Sequence, residues 1–171
     1  MIRYLFLLLF VVCVSCGSVD SEGTSVDVQL SVSSPYEECG FGCSVKWPFN
    51  AKITNISKEV VQINSMQFKV VDEFDSVVVN YISGSEGSMV NFWGMGDCPE
   101  ITGYNGMNLY QLEFDARLEP SEYTQRRDGV IRATTDCTSA CSGGVLTLAV
   151  NATIGGDVEI GARAEDEIPV W

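Results

Sequence analysis

Apolar and polar residues alternate with a period of two along most of the chain beyond residue 25, the spacing that sends successive side chains to opposite faces of a strand. Val26, Val28, Leu30 and Val32 alternate with Asp27, Gln29 and Ser31. Val45, Trp47, Phe49, Ala51 and Ile53 then alternate with Lys46, Pro48, Asn50, Lys52 and Thr54, which marks the clearest core strand. Pro48 lacks an N–H, so it predicts an edge position or a bulge. After a turn at Asn55-Ile56-Ser57-Lys58, the stretch from Val60 to Val71 carries apolar residues at Val61 and Ile63, then at Met66, Phe68 and Val70. A slip of one residue in that frame predicts a β-bulge near Asn64-Ser65. The acidic turn Asp72-Glu73-Phe74-Asp75 leads into a strand from Val77 to Ile82, and further strands are expected at Leu109 to Phe114, Tyr123 to Ala133 and Val145 to Ile154. Gly155-Gly156 predicts a primed hairpin turn into Val158 to Ala164. The closing run Ile168-Pro169-Val170-Trp171 is expected on an edge. No stretch keeps a helical period, so about seven to nine strands predict an all-β, antiparallel, immunoglobulin-like β-sandwich.

The first residues break this pattern. One basic side chain, Arg3, precedes the uncharged run Leu5 to Val14, the arrangement of a secretory signal. The run is too short for a spanning helix, which needs ~20 residues to cross ~30 Å of hydrocarbon. Polar residues Ser15 to Thr24 follow at once, so residues 1–15 read as a cleaved signal peptide. Val14-Ser15-Cys16-Gly17-Ser18 resembles the lipobox of bacterial lipoproteins, with Cys13 standing where that family usually has Leu or Ile. The resemblance implies a thioether-linked diacylglycerol on Cys16 and an acyl chain on its new amino group, hence a lipid-anchored protein of the bacterial cell envelope. For a Gram-negative source it implies the outer membrane. Several acyl chains, at ~0.8 kcal/mol per buried CH₂, make such an anchor permanent. Residues 16–25 are then the lipidated cysteine and a polar tether, and residues 26–171 the sandwich domain.

The 155 residues after Cys16 suffice for one domain with a core and are too few for two. Without Arg3, nine basic side chains face 23 acidic ones, a net charge of −14. That surface repels nucleic acid and anionic head groups. An apolar fraction of 46%, arranged periodically, makes this a solubilised fold and not a disordered acidic tail. The chain has no histidine, which removes the usual general base of Ser and Cys nucleophiles and the commonest metal ligand. Carboxylate-only chemistry stays open, although no spacing singles out a pair. No catalytic residue, metal or cofactor is therefore assigned.

Beyond Cys16 stand Cys39-x3-Cys43, Cys98 and Cys137-x3-Cys141. An oxidising envelope predicts two disulfides and one thiol left over, with the connectivity open. The rival is a Cu(I) site with Met89, Met95 or Met107. Between Ile82 and Leu109, six glycines are interleaved with Phe92, Trp93 and Tyr104, a loop suited to stacking on a sugar or docking a peptide. The plainer alternative buries Phe92 and Trp93 under the loop, with Met89 to Trp93 as one more strand. The acidic turn lacks the calcium-loop pattern and reads as a solvated hairpin tip. Arg126 and Arg127, adjacent on a strand, are expected to point to opposite faces and pair with surface carboxylates. Asn55-Ile56-Ser57 and Asn151-Ala152-Thr153 match glycosylation acceptors, which matter only in a eukaryotic source.

The segment Ile53-Thr54-Asn55-Ile56-Ser57-Lys58-Glu59-Val60-Val61, with Leu118-Glu119-Pro120-Ser121-Glu122 downstream, resembles the layout of small Ig-like envelope domains. Among these are domains similar to the intracellular proteinase inhibitor family. The resemblance implies the fold and no inhibitory activity. The expected function is a non-catalytic binding or structural module that engages an envelope protein or a glycan through the loop around Trp93. The alternative is an inhibitor or accessory subunit of an envelope complex, and behind it stand a carboxylate enzyme and a copper carrier.

Overall fold

Thirteen residues, Cys43–Asn55, form the longest strand and show how the rest assembles. Val45, Trp47, Phe49, Ala51 and Ile53 are all fully buried, while the residues between them are only half-buried. The structure is a computed structural model and describes residues 25–40, 42–84, 100–103 and 114–171. Among these residues lie ten strands: β1 Val26–Val32, β2 Tyr36–Cys39, β3 Cys43–Asn55, β4 Val61–Val71, β5 Val77–Gly84, β6 Glu100–Gly103, β7 Arg117–Leu118, β8 Tyr123–Thr134, β9 Val145–Ile154 and β10 Val158–Glu167. One sheet runs β1-β3-β8-β6 with β2 also beside β3; the other runs β10-β9-β4-β5 with β7 beside β4. Every pairing is antiparallel, and the apolar faces of the two sheets meet as a β-sandwich. Ten strands exceed the expected seven to nine. The additions β2, β6 and β7 are four, four and two residues long, too short to show a period of their own. Pairing to long neighbours makes them strands.

Two irregularities fall near their expected places. The register between β4 and β9 shifts between Ile63 and Ser65, leaving Asn64 as the extra residue that carries the apolar frame from Ile63 to Met66. Pro48 is not on an edge, because β3 is paired on both flanks. Its carbonyl accepts the Ser33 N–H at 2.7 Å, and a residue's N–H and C=O leave an antiparallel strand on the same side. Its missing donor thus faces the junction where β1 stops at Phe49 and β2 starts at Lys46. The bulge lies next to it, opposite Asn50, where Gly129 and Arg126 of β8 face Phe49 and Ala51.

The bulge borders the tightest packing in the core. The Phe49 ring lies 5.6 Å from that of Phe68 across the sandwich, and Phe68 lies 6.5 Å from Phe114. A Cβ at Gly129 would stand 2.3 Å from Phe49 Cζ, so only glycine lets the ring rest on β8. Trp47 is sealed in by the chain's end. Ile168, Pro169, Val170 and Trp171 form no strand, contrary to the expected edge run. Instead Ile168 is 1% exposed, exchanges backbone hydrogen bonds with Gly143 and Gly144, and brings Pro169 O within 2.9 Å of the Trp47 Nε1–H donor. An apolar side chain with a nearby buried indole to satisfy outweighs edge pairing.

At one end of the sandwich Asn55 ties three segments together. Its Nδ2 donates to Glu59 O at 2.8 Å and to Leu118 O at 3.0 Å, and its Oδ1 accepts from Ser57 N and Ser57 Oγ. Its backbone bonds Ser121 and Glu122. Fully buried and committed in this way, Asn55 offers no amide for glycosylation. Asn151, the other match, is exposed and donates to Ser65 Oγ. The predicted hairpin turn is present, with Gly155 and Gly156 at φ 59° and 93°.

Three substitutions test this packing. Gly129→Ala is expected to destabilise the fold by about 1–3 kcal/mol, the range for overpacked cores, seen as a lower urea midpoint at unchanged slope. Asn55→Ala strands the Leu118 carbonyl and the Ser57 N–H and is expected to cost about 2–3 kcal/mol, whereas Asn151→Ala stays within about 0.5 kcal/mol.

Candidate functional site

Strand directions divide the loops between two poles. The near pole holds Ser25, where the described chain begins; its carbonyl accepts the Ile56 N–H at 3.0 Å. The Asn55–Val60, Leu118–Glu122 and Gly155–Asp157 turns lie there as well. The far pole holds the β2–β3 hairpin, the acidic β4–β5 turn, a 3-10 helix at Thr135–Ala140 linking the two sheets, and the chain's end. Every described cysteine is at the far pole, three of them disulfide-bonded and one free.

Cys39 and Cys43 stand directly opposite each other across the β2–β3 hairpin and are joined by a disulfide, S–S 2.08 Å. Both are exposed. By strand parity Cys43 shares the inward face of β3 with Val45, and Glu37 and Cys39 share the corresponding face of β2. The hairpin overhangs the core, so these positions meet solvent where Val45 meets the other sheet. The acceptor atoms of Glu37, Cys39 and Cys43 lie within 4.8 Å of one another. Glu38 faces the opposite way and forms an ion pair with Lys46. Sequence reading overlooked Glu37; its one signal is the i, i+2 spacing to Cys39 within a strand too short to recognise.

Cys137, in the 3-10 helix, is also disulfide-bonded, and its Sγ lies 3.3 Å from Thr134 Oγ1. Cys141 is the free cysteine among the described residues. It is buried in the core, its Sγ 3.7 Å from Thr138 O, and burial pushes its thiol up to about 12. Such a thiol neither ligates nor reacts at neutral pH. The second perturbed group, Glu165 on β10, is held below its ordinary value first by the hydrogen bond from Arg163, against a smaller desolvation cost, and then by that from Thr147. It belongs to a strand surface and not to a cleft.

The other sequence-derived candidates fall as follows. Cys16, Cys98, Phe92, Trp93 and Tyr104 lie outside the described residues, as do residues 109–113 of an expected strand and the alternative strand Met89 to Trp93. The segment bearing Phe92 and Trp93 is flanked by β5 and β6, each an end strand of a different sheet. In the acidic turn, Asp72 Oδ1 accepts the N–H groups of Phe74 and Ser76, which makes the turn a backbone-capped hairpin tip. Arg127 donates to Gln125 Oε1 in place of a surface carboxylate.

No family model matches the chain, and no curated protein matches it. Solved structures align with it over most of its length. A Northeast Structural Genomics Consortium target aligns with a TM-score of 0.50 at 10% identity over 85% of this chain and 87% of its own. The ApaA protein from Bordetella pertussis aligns at 0.45 with 12% identity, covering 85% of this chain and 94% of its own. A protein from Archaeoglobus fulgidus aligns at 0.32 with 10% identity, covering 85% and 98%. The first likeness concerns the fold alone.

The cysteine states give one prediction with two readouts. Iodoacetamide is expected to leave Cys141 unmodified in the native protein and to label it on unfolding, with peptide mapping showing Cys39 joined to Cys43. Because the thiol's value is raised in the folded state, its contribution to stability is complete below the ordinary value of 9.0 and is lost as pH rises from there toward about 12. The wild-type protein is therefore expected to lose more stability over that window than Cys141→Ala.

Proposed function

We propose that this chain is a lipid-anchored cell-envelope protein whose immunoglobulin-like module is a non-catalytic binding or structural domain. The supporting observation is the position of Ser25 at the near pole, bonded to Ile56. Eight residues separate it from Cys16, and at ~3.3–3.6 Å per residue they reach less than about 30 Å even when extended. An acyl group on Cys16 would hold the near pole close to the bilayer. The thirteen residues of β3, at ~3.4 Å each, would carry the far pole roughly 40 Å further out. The segment with Phe92 and Trp93, entered and left through end strands of both sheets, is the proposed contact for an envelope protein or a glycan.

Intact-mass measurement of the membrane-extracted protein tests the anchor. A chain beginning at Cys16 with acyl mass is expected, and Cys16→Ala is expected to leave the detergent phase for the aqueous one. A wild-type protein without acyl groups, or one beginning elsewhere, overturns the anchor. For the contact surface, Trp93→Ala with Tyr104→Ala is expected to abolish cross-links to neighbouring envelope components; an unchanged cross-link pattern overturns that role.

A further inference from the structure

The disulfide at the far pole is poorly placed to stabilise the fold. It closes a loop of only five residues, Cys39 to Cys43, and the chain entropy a cross-link removes from the unfolded state shrinks with the loop. The strands it joins are already paired from Tyr36↔Lys46 to Cys39↔Cys43, and the core begins inward of it at Val45. Both sulfur-bearing residues are exposed, and Glu37 projects from the same face two residues before Cys39. Exposed disulfides of small structural value are the ones opened by exchange.

We propose that the Cys39–Cys43 bond gates a binding site for a thiophilic d10 cation, such as Zn(II) or Cd(II), with Cys39, Cys43 and Glu37 as its ligands. A dithiol reductant supplies the electrons. One of its thiolates attacks a sulfur of the bond, the S–S bond breaks, and the other sulfur leaves as a thiolate. The reductant's second thiol then resolves the mixed disulfide, so two electrons and two protons pass to Cys39 and Cys43 while the dithiol becomes a disulfide. The divalent cation then displaces the two thiol protons and takes the Glu37 carboxylate as third ligand.

The geometry suits this chemistry. Tetrahedral coordination with metal–sulfur bonds of ~2.3 Å places two sulfurs about 3.8 Å apart, a separation open to directly opposed residues of a strand pair. With the disulfide closed, the three ligand atoms already lie within 4.8 Å of one another. Glu38, turned away and paired with Lys46, does not compete. Buried Cys141 is out of reach of such a cation.

Cadmium chloride titration of the full mature protein, read by thiolate-to-cadmium absorption, tests the proposal. The dithiol-reduced protein is expected to bind one equivalent more than an identically reduced Cys39→Ser/Cys43→Ser protein, and the oxidised protein is expected to lack that equivalent. Glu37→Gln in the reduced state is expected to weaken binding at least ~10-fold, as loss of even an outer-shell partner does at metal sites. A reduced wild type that binds no more than the double variant overturns the site. Equal affinity in Glu37→Gln overturns the three-ligand assignment, and binding by the oxidised form overturns the gate.

Discussion

The seat of Phe49 on Gly129 and against Phe68 is the contact on which the sandwich depends. A strand paired on both sides has to present one face to a second sheet about 10 Å away, and the aromatic rings of Phe49 and Phe68 fill that gap at 5.6 Å between centroids. The ring of Phe49 fits because β8 carries no side chain at the position opposite and bulges beside it. Trp47, one inward position away, is completed by the chain's last residues, which supply both an apolar plug at Ile168 and a carbonyl for the indole. The core is thus closed by residues separated by more than a hundred positions in sequence.

The two poles have different chemistry for physical reasons. At the near pole, the turn residues of three segments converge on one buried amide, and its polar groups are matched by backbone partners. Such a node resists change and offers little to a ligand. At the far pole the β2–β3 hairpin extends past the opposing sheet, so an inward-facing register continues into solvent. That overhang is what makes a disulfide, and a carboxylate beside it, accessible.

The cysteines show how environment separates identical side chains. Cys141 is sealed against Thr138 in the core and is kept protonated by desolvation. Cys39 and Cys43 are held opposite each other by hairpin register and meet water. A low-dielectric interior penalises the Cys141 thiolate, whereas the exposed pair is open to reagents in solution. Reactivity at this pole follows position in the sandwich.

By itself the sequence determined the strand class of the domain, the Asn64 slip, the Gly155-Gly156 turn and the acidic charge, because each is carried by neighbouring side chains or by composition. The strands β1, β3, β4, β5, β8, β9 and β10 were legible for that reason. Tertiary structure alone decided that Pro48 sits inside a sheet, that Ile168 enters the core, that β2, β6 and β7 are strands, and that Glu37 stands with Cys39 and Cys43 while Cys141 does not. Those outcomes depend on partners distant in sequence and on register, which local alternation does not encode: period two says which residues share a face, and only pairing says what that face meets.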